Sequence, residues 1–281
     1  MTELLTVSDF DPQIDSTAAA RWAAMPSTAA PWLHEEVGRR MAERLDYIKL
    51  PTQVWTNWSW LRGGTPAHPA LTTRFWQKLK PFGLNLSKSA FKPPAHLSQD
   101  LIWSNMQLHM ESSPKGMIEA WHAALKTDGF VMFSLLGPDT LIELRAAYQR
   151  RGWLAPLHTL TDMHDWGDRL VQHGFAEPVM DMERLTLTFA TPERALQELR
   201  GLGRNLHPKR ITAGDAPQGL RGKAWRREVL NALDECRNPQ GQVALTFELI
   251  YGHAIKPKPR VKLSSSASVS LANMREMLRR Q

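Results

Sequence analysis

DLIWSNMQLHMESSPKGMIEAWHAALKTDGFVMFSLLG, residues Asp100 to Gly137, is the stretch on which the fold turns. It opens with DLIWSNMQL (Asp100 to Leu108), an apolar run of strand length. Ser113 and Pro114 then supply a helix cap and a first-turn proline, KGMIEAWHAALKT carries the helix, and Asp128-Gly129 ends it. A second apolar run, FVMFSLLG, follows. Strand, helix and strand in that order form a βαβ unit, which requires a parallel sheet with buried strands.

Working outward, the same alternation continues. Upstream, APWLHEEVGRRMAERLDYI (Ala30 to Ile48) places Leu33, Val37, Met41, Leu45 and Ile48 on one helical face. LPTQVWTNWSWL (Leu50 to Leu61) reads as a strand entering a loop, with Gly63-Gly64 beyond it as a breaker. Downstream come a helix from about Asp139 to Tyr148 and another from Asp162 to His173, capped by Thr161 and stopped by Gly174. AEPVMDMERLTLTFA alternates as a strand, Thr191-Pro192 starts a further helix, and QVALTFELIYGHA is the last strand. The expected fold class is α/β, a mostly parallel sheet with helices on both faces. Residues 1–29 read as an N-terminal extension, 30–256 as the domain, and 257–281 as a basic flexible tail. Within the domain, about residues 190–240 form a basic helical insertion before the last strand.

At 281 residues, 42% apolar and 22% charged, the chain has enough apolar surface for a sizeable core. A lone cysteine, Cys236, excludes an internal disulfide. The N-terminus carries acids where a secretory signal needs a basic start, and no apolar run approaches the ~20 residues of a spanning helix. The chain reads as cytoplasmic. The net charge of +7 is concentrated: Lys256 to Gln281 holds seven Lys or Arg and one acid, including KPKPR followed by SSSAS. LANMREMLRR at the end is compatible with a short basic amphipathic helix. A solubilising tail is favoured over a nucleic-acid or membrane contact.

DLIWSNMQLHM and GMIEAWHAALKTDGFVMFSLLGPDTLIELRAAY together resemble the central half of class I S-adenosylmethionine-dependent methyltransferases, in particular the malonyl-acyl-carrier-protein O-methyltransferases of biotin synthesis. The resemblance extends upstream through LHEEVGRRMAERLDYIKL and downstream through DMHDWGDRLVQHGFAEPVMDMERLTLTF and LTFELIYGHA. It implies a class I methyltransferase-like sheet with an antiparallel last strand, S-adenosylmethionine as cofactor, and a substrate delivered on an acidic acyl carrier protein. It also implies a D-x-G-x-G-x-G loop after the first strand and an acid ending the second.

Both cofactor features are missing where the resemblance places them. Alignment from Val54 puts Thr56 at the acid and Trp58 and Trp60 at the first two glycines, so large side chains stand where close backbone approach requires small ones. No Asp or Glu occurs between Asp46 and Asp100. The span from Val54 to Asp100 is also short for two strand–helix pairs, and Pro66, Pro69, Pro81, Pro93 and Pro94 interrupt it. The sheet is therefore expected to be shortened at its second or third strand.

The candidate residues follow. Ser104 and Asn105 end the fourth-strand segment at the edge of the implied cofactor pocket, where a turn satisfying backbone groups is the competing reading. Trp55, Trp58, Trp60 and Trp76 suit either stacking on a flat ligand or core filling, and core filling is favoured. Ala190 to Glu228 carries nine Lys or Arg against four acids, a face suited to steering an acidic carrier or simply a solvated one. Within it, Arg204, Asn205, His207 and Arg210 are the substrate or partner candidates, because LRGLGRNLHPKR resembles the corresponding family segment. His34, His68, His96, His109, His122 and His164 have no metal-ligand spacing, and His158 with Asp162 is a single chance pair, so no metal is expected. No catalytic residue is assigned, since methyl transfer asks mainly for alignment. Two functions remain. One is a non-catalytic scaffold with an eroded S-adenosylmethionine site that binds an acidic carrier or biotin-pathway partner. The other is an active carboxyl O-methyltransferase acting on a malonyl thioester.

Overall fold

The structure, a computed structural model, describes residues 14–25, 30–59, 93–208 and 222–259. In chain order the elements are α1 (Ser16–Ala24), α2 (Trp32–Leu45), β1 (Trp55–Asn57), β2 (Gln99–Asn105), a short turn of 3-10 helix (Leu108–Met110), α3 (Pro114–Ala124), β3 (Leu125–Leu136), α4 (Ile142–Arg150), α5 (Met163–Gln172), β4 (Ala176–Phe189), α6 (Pro192–Leu202), α7 (Lys223–Asp234) and β5 (Val243–Ile255).

The five strands form one sheet in the order β1-β2-β3-β5-β4. β1, β2 and β3 run parallel, and β5 is antiparallel to both β3 and β4. Four strands thus share one direction and the last opposes them, the α/β arrangement expected. Among the described residues the sheet ends at β1 on one side. Residues 60–92, where a second and third strand were sought, lie outside the described residues, as do Trp60 and Trp76.

Strand alternation sends side chains to two cores, one on each face. Leu101, Trp103, Phe130, Met132 and Phe247 meet Val37 and Met41 of α2, Leu144 of α4 and Leu233 of α7. On the opposite face Ile102, Val131, Phe133 and Ile250 meet Ile118 and Trp121 of α3 and Trp166 and Leu170 of α5. The 3.6-residue spacing of α2 is realised directly: Leu33, Val37, Met41 and Leu45 are all buried. Salt bridges from Arg40 to Glu183 and from Arg44 to Asp181 hold α2 to β4.

The βαβ unit departs from expectation at its second junction. Ser113 caps α3 by accepting the Gly116 N–H, as its position suggested. The helix stops at Ala124, however, ahead of Asp128-Gly129, and β3 begins at Leu125. Leu97 and Ser98 donate backbone N–H groups to the Ala123 and Ala124 carbonyls, and the Lys256 ammonium donates to the carbonyls of His122 and Leu125. The helix end is thus satisfied from outside, and Asp128-Gly129 instead forms an irregularity against β2, where the register jumps from Gln99 opposite Leu125 to Leu101 opposite Phe130. Gly129 is needed because a Cβ there would stand 3.0 Å from the carbonyl oxygens of Gln99, Asp100 and Lys126. A smaller correction concerns α5, whose cap is Asp162, accepting the His164 N–H, in place of Thr161. The strand read over Leu50–Leu61 is reduced to Trp55–Asn57 within the described residues.

Candidate functional site

In open α/β sheets, ligands bind beyond the carboxyl ends of the parallel strands. Here the carboxyl ends of β1 and β2 open into a cavity of about 500 Å³. Its walls include Trp58 and Ser59 after β1, Met106, Gln107 and Met110 after β2, Ser113 and Gly116 at the start of α3, and Ala19 and Trp22 of α1. Met106 takes a left-handed backbone (φ 56°) to make this corner, held by its N–H donating to the Ser134 carbonyl at 3.0 Å.

The loop residues expected to replace a glycine-rich cofactor cradle have found other work. The Thr56 hydroxyl donates to Gln99 Oε1 at 2.8 Å. Trp58 is 5% exposed and meets Trp121 edge to face, ring centroids 6.5 Å apart, in the core beneath the cavity. Its indole therefore forms floor and core together, leaving the cavity open above. Ser59 follows, its hydroxyl bonded to the Asn105 N–H.

Ser104 and Asn105 point to opposite faces of β2. Ser104 is fully buried and its hydroxyl has no partner. Asn105 donates through Nδ2 to the His34 carbonyl at 2.7 Å and accepts from the Ser134 hydroxyl at 2.6 Å. It ties α2, β2 and β3 together at the cavity's edge. Glu111 is a cavity residue that sequence reasoning missed and the one carboxylate among the described lining residues. Its Oε1 accepts from the Ser112 N–H at 3.0 Å. The signal was available, for a polar residue in the loop after a parallel strand is well placed for ligand contact.

A second cavity, about 230 Å³, lies beside the first, and Met110 and Leu202 line both. Leu136, Leu144, Leu196, Leu199, Val229 and Phe247 give it an apolar wall, and His109, His158, Arg200, Arg204 and Asn205 supply its polar groups. Two predicted substrate-side residues, Arg204 and Asn205, thus reach one chamber. Arg204 Nη1 donates to the Gly203 carbonyl at 2.8 Å and its guanidinium lies 4.7 Å over the Trp22 ring, while burial and then Arg200 lower its pKa. Asn205 donates to the Ala155 carbonyl at 2.7 Å and accepts the His207 N–H at 2.9 Å. His207 is absent from this chamber's lining, and Arg210 lies outside the described residues.

His158 and Asp162 are engaged separately, in keeping with a chance pairing in sequence: His158 Nε2 lies 2.8 Å from the His109 carbonyl, whereas Asp162 bonds His164. Burial pushes both His109 and His158 below the ordinary histidine value. No group of three metal-ligating side chains occurs among the described residues.

No family model matches the chain. It is 38% identical over 272 residues to a malonyl-[acyl-carrier protein] O-methyltransferase of Gallionella capsiferriformans, covering 88% of this chain and 92% of the relative. To the protein of the same name from Methylovorus sp. it is 32% identical over 274 residues, covering 88% and 90%. Among solved structures, a putative methyltransferase from Bacillus halodurans aligns with TM-score 0.43 and 13% identity, over 78% of this chain and 99% of that one. A SAM-dependent methyltransferase from Thermotoga maritima aligns with TM-score 0.39 and 11% identity, over 80% and 92%.

Proposed function

Because the chain belongs to the malonyl-[acyl-carrier protein] O-methyltransferase family, we propose that it is a non-catalytic member, with an eroded S-adenosylmethionine site, which binds an acidic carrier or another protein of the biotin pathway. One observation carries this reading: the β1 turn that should cradle the cofactor holds Thr56 bonded to Gln99 and a core-packed Trp58, and no Asp or Glu lies between Asp46 and Asp100, where the family resemblance places the acid for the ribose hydroxyls. Ribose hydroxyls buried without partners cost about 1–3 kcal/mol each, and every 1.4 kcal/mol is about tenfold in affinity. Among the described residues Thr56 and Trp58 stand where the resemblance places an acid and a glycine, so no chemical step is assigned to the cofactor.

The partner half of the reading is supported by the exposed cations Arg200, Lys223, Arg226 and Arg227 on the packed pair α6 and α7. Such a face raises the encounter rate with an acidic protein.

An active carboxyl O-methyltransferase is the second reading, favoured by the cavity of about 500 Å³ with Glu111 in its wall and a second chamber adjoining it through Met110 and Leu202. Calorimetric titration with S-adenosylmethionine and its demethylated product separates the two. The scaffold gives no binding up to millimolar ligand, and micromolar binding overturns it. The carrier interaction weakens as salt rises; indifference to ionic strength removes the basic face from the account.

A further inference from the structure

Two buried rings stand where the cavities adjoin, with no provision for charge. His109 belongs to the three-residue turn of 3-10 helix, and His158 to residues 151–162 between α4 and α5, which form neither helix nor strand. Both histidines line the smaller cavity, and Met110, next to His109, lines both cavities. A carbonyl oxygen only accepts, so the 2.8 Å contact with the His109 carbonyl makes His158 Nε2 the N–H donor and leaves Nδ1 as the place for a second proton. That Nδ1 is sealed from water and has no partner. His109 Nδ1 is sealed and unpartnered as well, so in either tautomer an imidazolium there would carry an N–H that nothing accepts. Burial is the first cause holding both rings neutral. His158 and His34 of α2 add to it for His109; for His158 the contact with the His109 carbonyl works against it and His207 adds to it. Among the described residues no acid acts on either ring. Of the acids on neighbouring elements, Glu111 accepts the Ser112 N–H, Glu248 of β5 accepts the Asp139 N–H, and Glu119 of α3 lies 3.8 Å from His173. The other ionisable groups on the smaller cavity's wall are Arg200, Arg204 and the Tyr148 phenol.

We propose that His109 and His158 form an acid-sensitive latch: when the two rings take up protons, the 3-10 turn and residues 151–162 part while the sheet stays folded, and the two cavities join. Because both Nδ1 atoms are sealed, a proton reaches them only when this wall opens, which couples opening to acid. The closed rings bind protons less readily than an ordinary histidine, whose value is about 6.5. The closed state is therefore at full strength above that pH and weakens as pH falls below it. Each ring that gains a proton on opening contributes about tenfold per pH unit to the opening constant. Short irregular segments open at lower free energy than strands in the middle of a sheet. β5, paired on one side with β3 and on the other with β4, is the internal reference. The inference goes beyond the scaffold reading and holds whether or not the larger cavity takes a nucleoside.

Amide hydrogen exchange of the full chain, read by mass spectrometry between about pH 6.5 and pH 5 and corrected for the intrinsic exchange rate, tests it. The opening constant of peptides covering residues 106–112 and 151–162 rises about tenfold per pH unit if one ring gains a proton and about a hundredfold if both do, while β5 keeps its protection. His158→Gln, which retains a donor for the His109 carbonyl, and His109→Phe, which retains a ring, each remove the dependence that their own histidine supplies, and the double variant is flat. Where a variant does not fold, the parent chain carries the test through Nile red, an uncharged apolar probe: its emission rises over the same pH range with the far-UV circular dichroism unchanged. Opening constants indifferent to pH, protection lost from β5 in step with the two segments, Nile red emission that stays flat, or a pH dependence surviving in the double variant overturns the proposal. S-adenosylmethionine titrated at neutral pH reports on the scaffold reading alone, so the two can fail independently.

Discussion

In the β3-β5-β4 half of the sheet, β4 and β5 pair without interruption from Val179 opposite His253 to Phe189 opposite Val243. At the other edge, β1 gives three residues, Trp55–Asn57, to its pairing with β2. Both regions are built on buried apolar side chains, but they bury them differently. The broad half interdigitates Phe133, Leu135 and Ile250 within the sheet, while at the β1 edge Trp58 is wedged against Trp121 and Trp55 packs, partly buried, against the core on the other face. The difference teaches that at this edge, where the family resemblance calls for glycine, a large side chain has become part of the core. On the proposed scaffold reading, core filling there stands in place of the close backbone approach a nucleoside needs.

The comparison is sharpened first by truncating each side. Phe133→Ala, at a fully buried site, is expected to cost about 3–5 kcal/mol in urea unfolding. If the β1 edge is true core, Trp58→Ala costs about 3 kcal/mol, the lower end of the same range because one flank opens on a cavity. A loss near zero would break the comparison and make Trp58 a plug in a binding site. Asn105→Ala leaves the Ser134 hydroxyl and the His34 carbonyl without the bonds it now supplies, for an expected loss of about 1–3 kcal/mol.

The smallest effect is electrostatic and belongs to the β1 edge. Burial pushes the Asp100 carboxyl up, but hydrogen bonds from Lys126 and from the Val54 N–H outweigh it and hold the pKa below its ordinary value. A depressed folded-state pKa stabilises above the unfolded value, and the contribution is lost as pH falls through the folded one. Asp100→Asn is therefore expected to cost less than about 1 kcal/mol at neutral pH, since Lys126 is 41% exposed, with the gap to the parent closing in acid. A gap that widens on acidification would reverse the sign and detach Asp100 from β1.

Much of the fold was legible because it rests on periodicity. The spacing of Leu33, Val37, Met41 and Leu45 announced α2, and Ser113-Pro114 and Thr191-Pro192 marked two helix starts that the structure keeps. The misread junction shows the limit: Asp128-Gly129 carries a helix-stop signature, but the Lys256 ammonium, distant in sequence, closes the helix four residues earlier. The sites were legible only in part. The family resemblance singled out Arg204 and Asn205, which the structure places on one chamber, whereas the His158 contact escaped the reading because its partner is a backbone carbonyl, which no side-chain pattern encodes. Glu111 escaped notice because the search for an acid stopped at the second strand's expected position.

Helix α1 sits at the junction of everything described around the two chambers. Its cap Asp15 donates a backbone N–H to the Leu206 carbonyl, its Ala18 and Ala19 pack on Leu206, and its Trp22 lies under the Arg204 guanidinium. Trimming the first two dozen residues to obtain a tidier recombinant protein would therefore unroof the larger cavity and strip the Trp22 ring from Arg204 in the wall of the smaller one, and a negative ligand screen on such a fragment would say nothing about the intact chain.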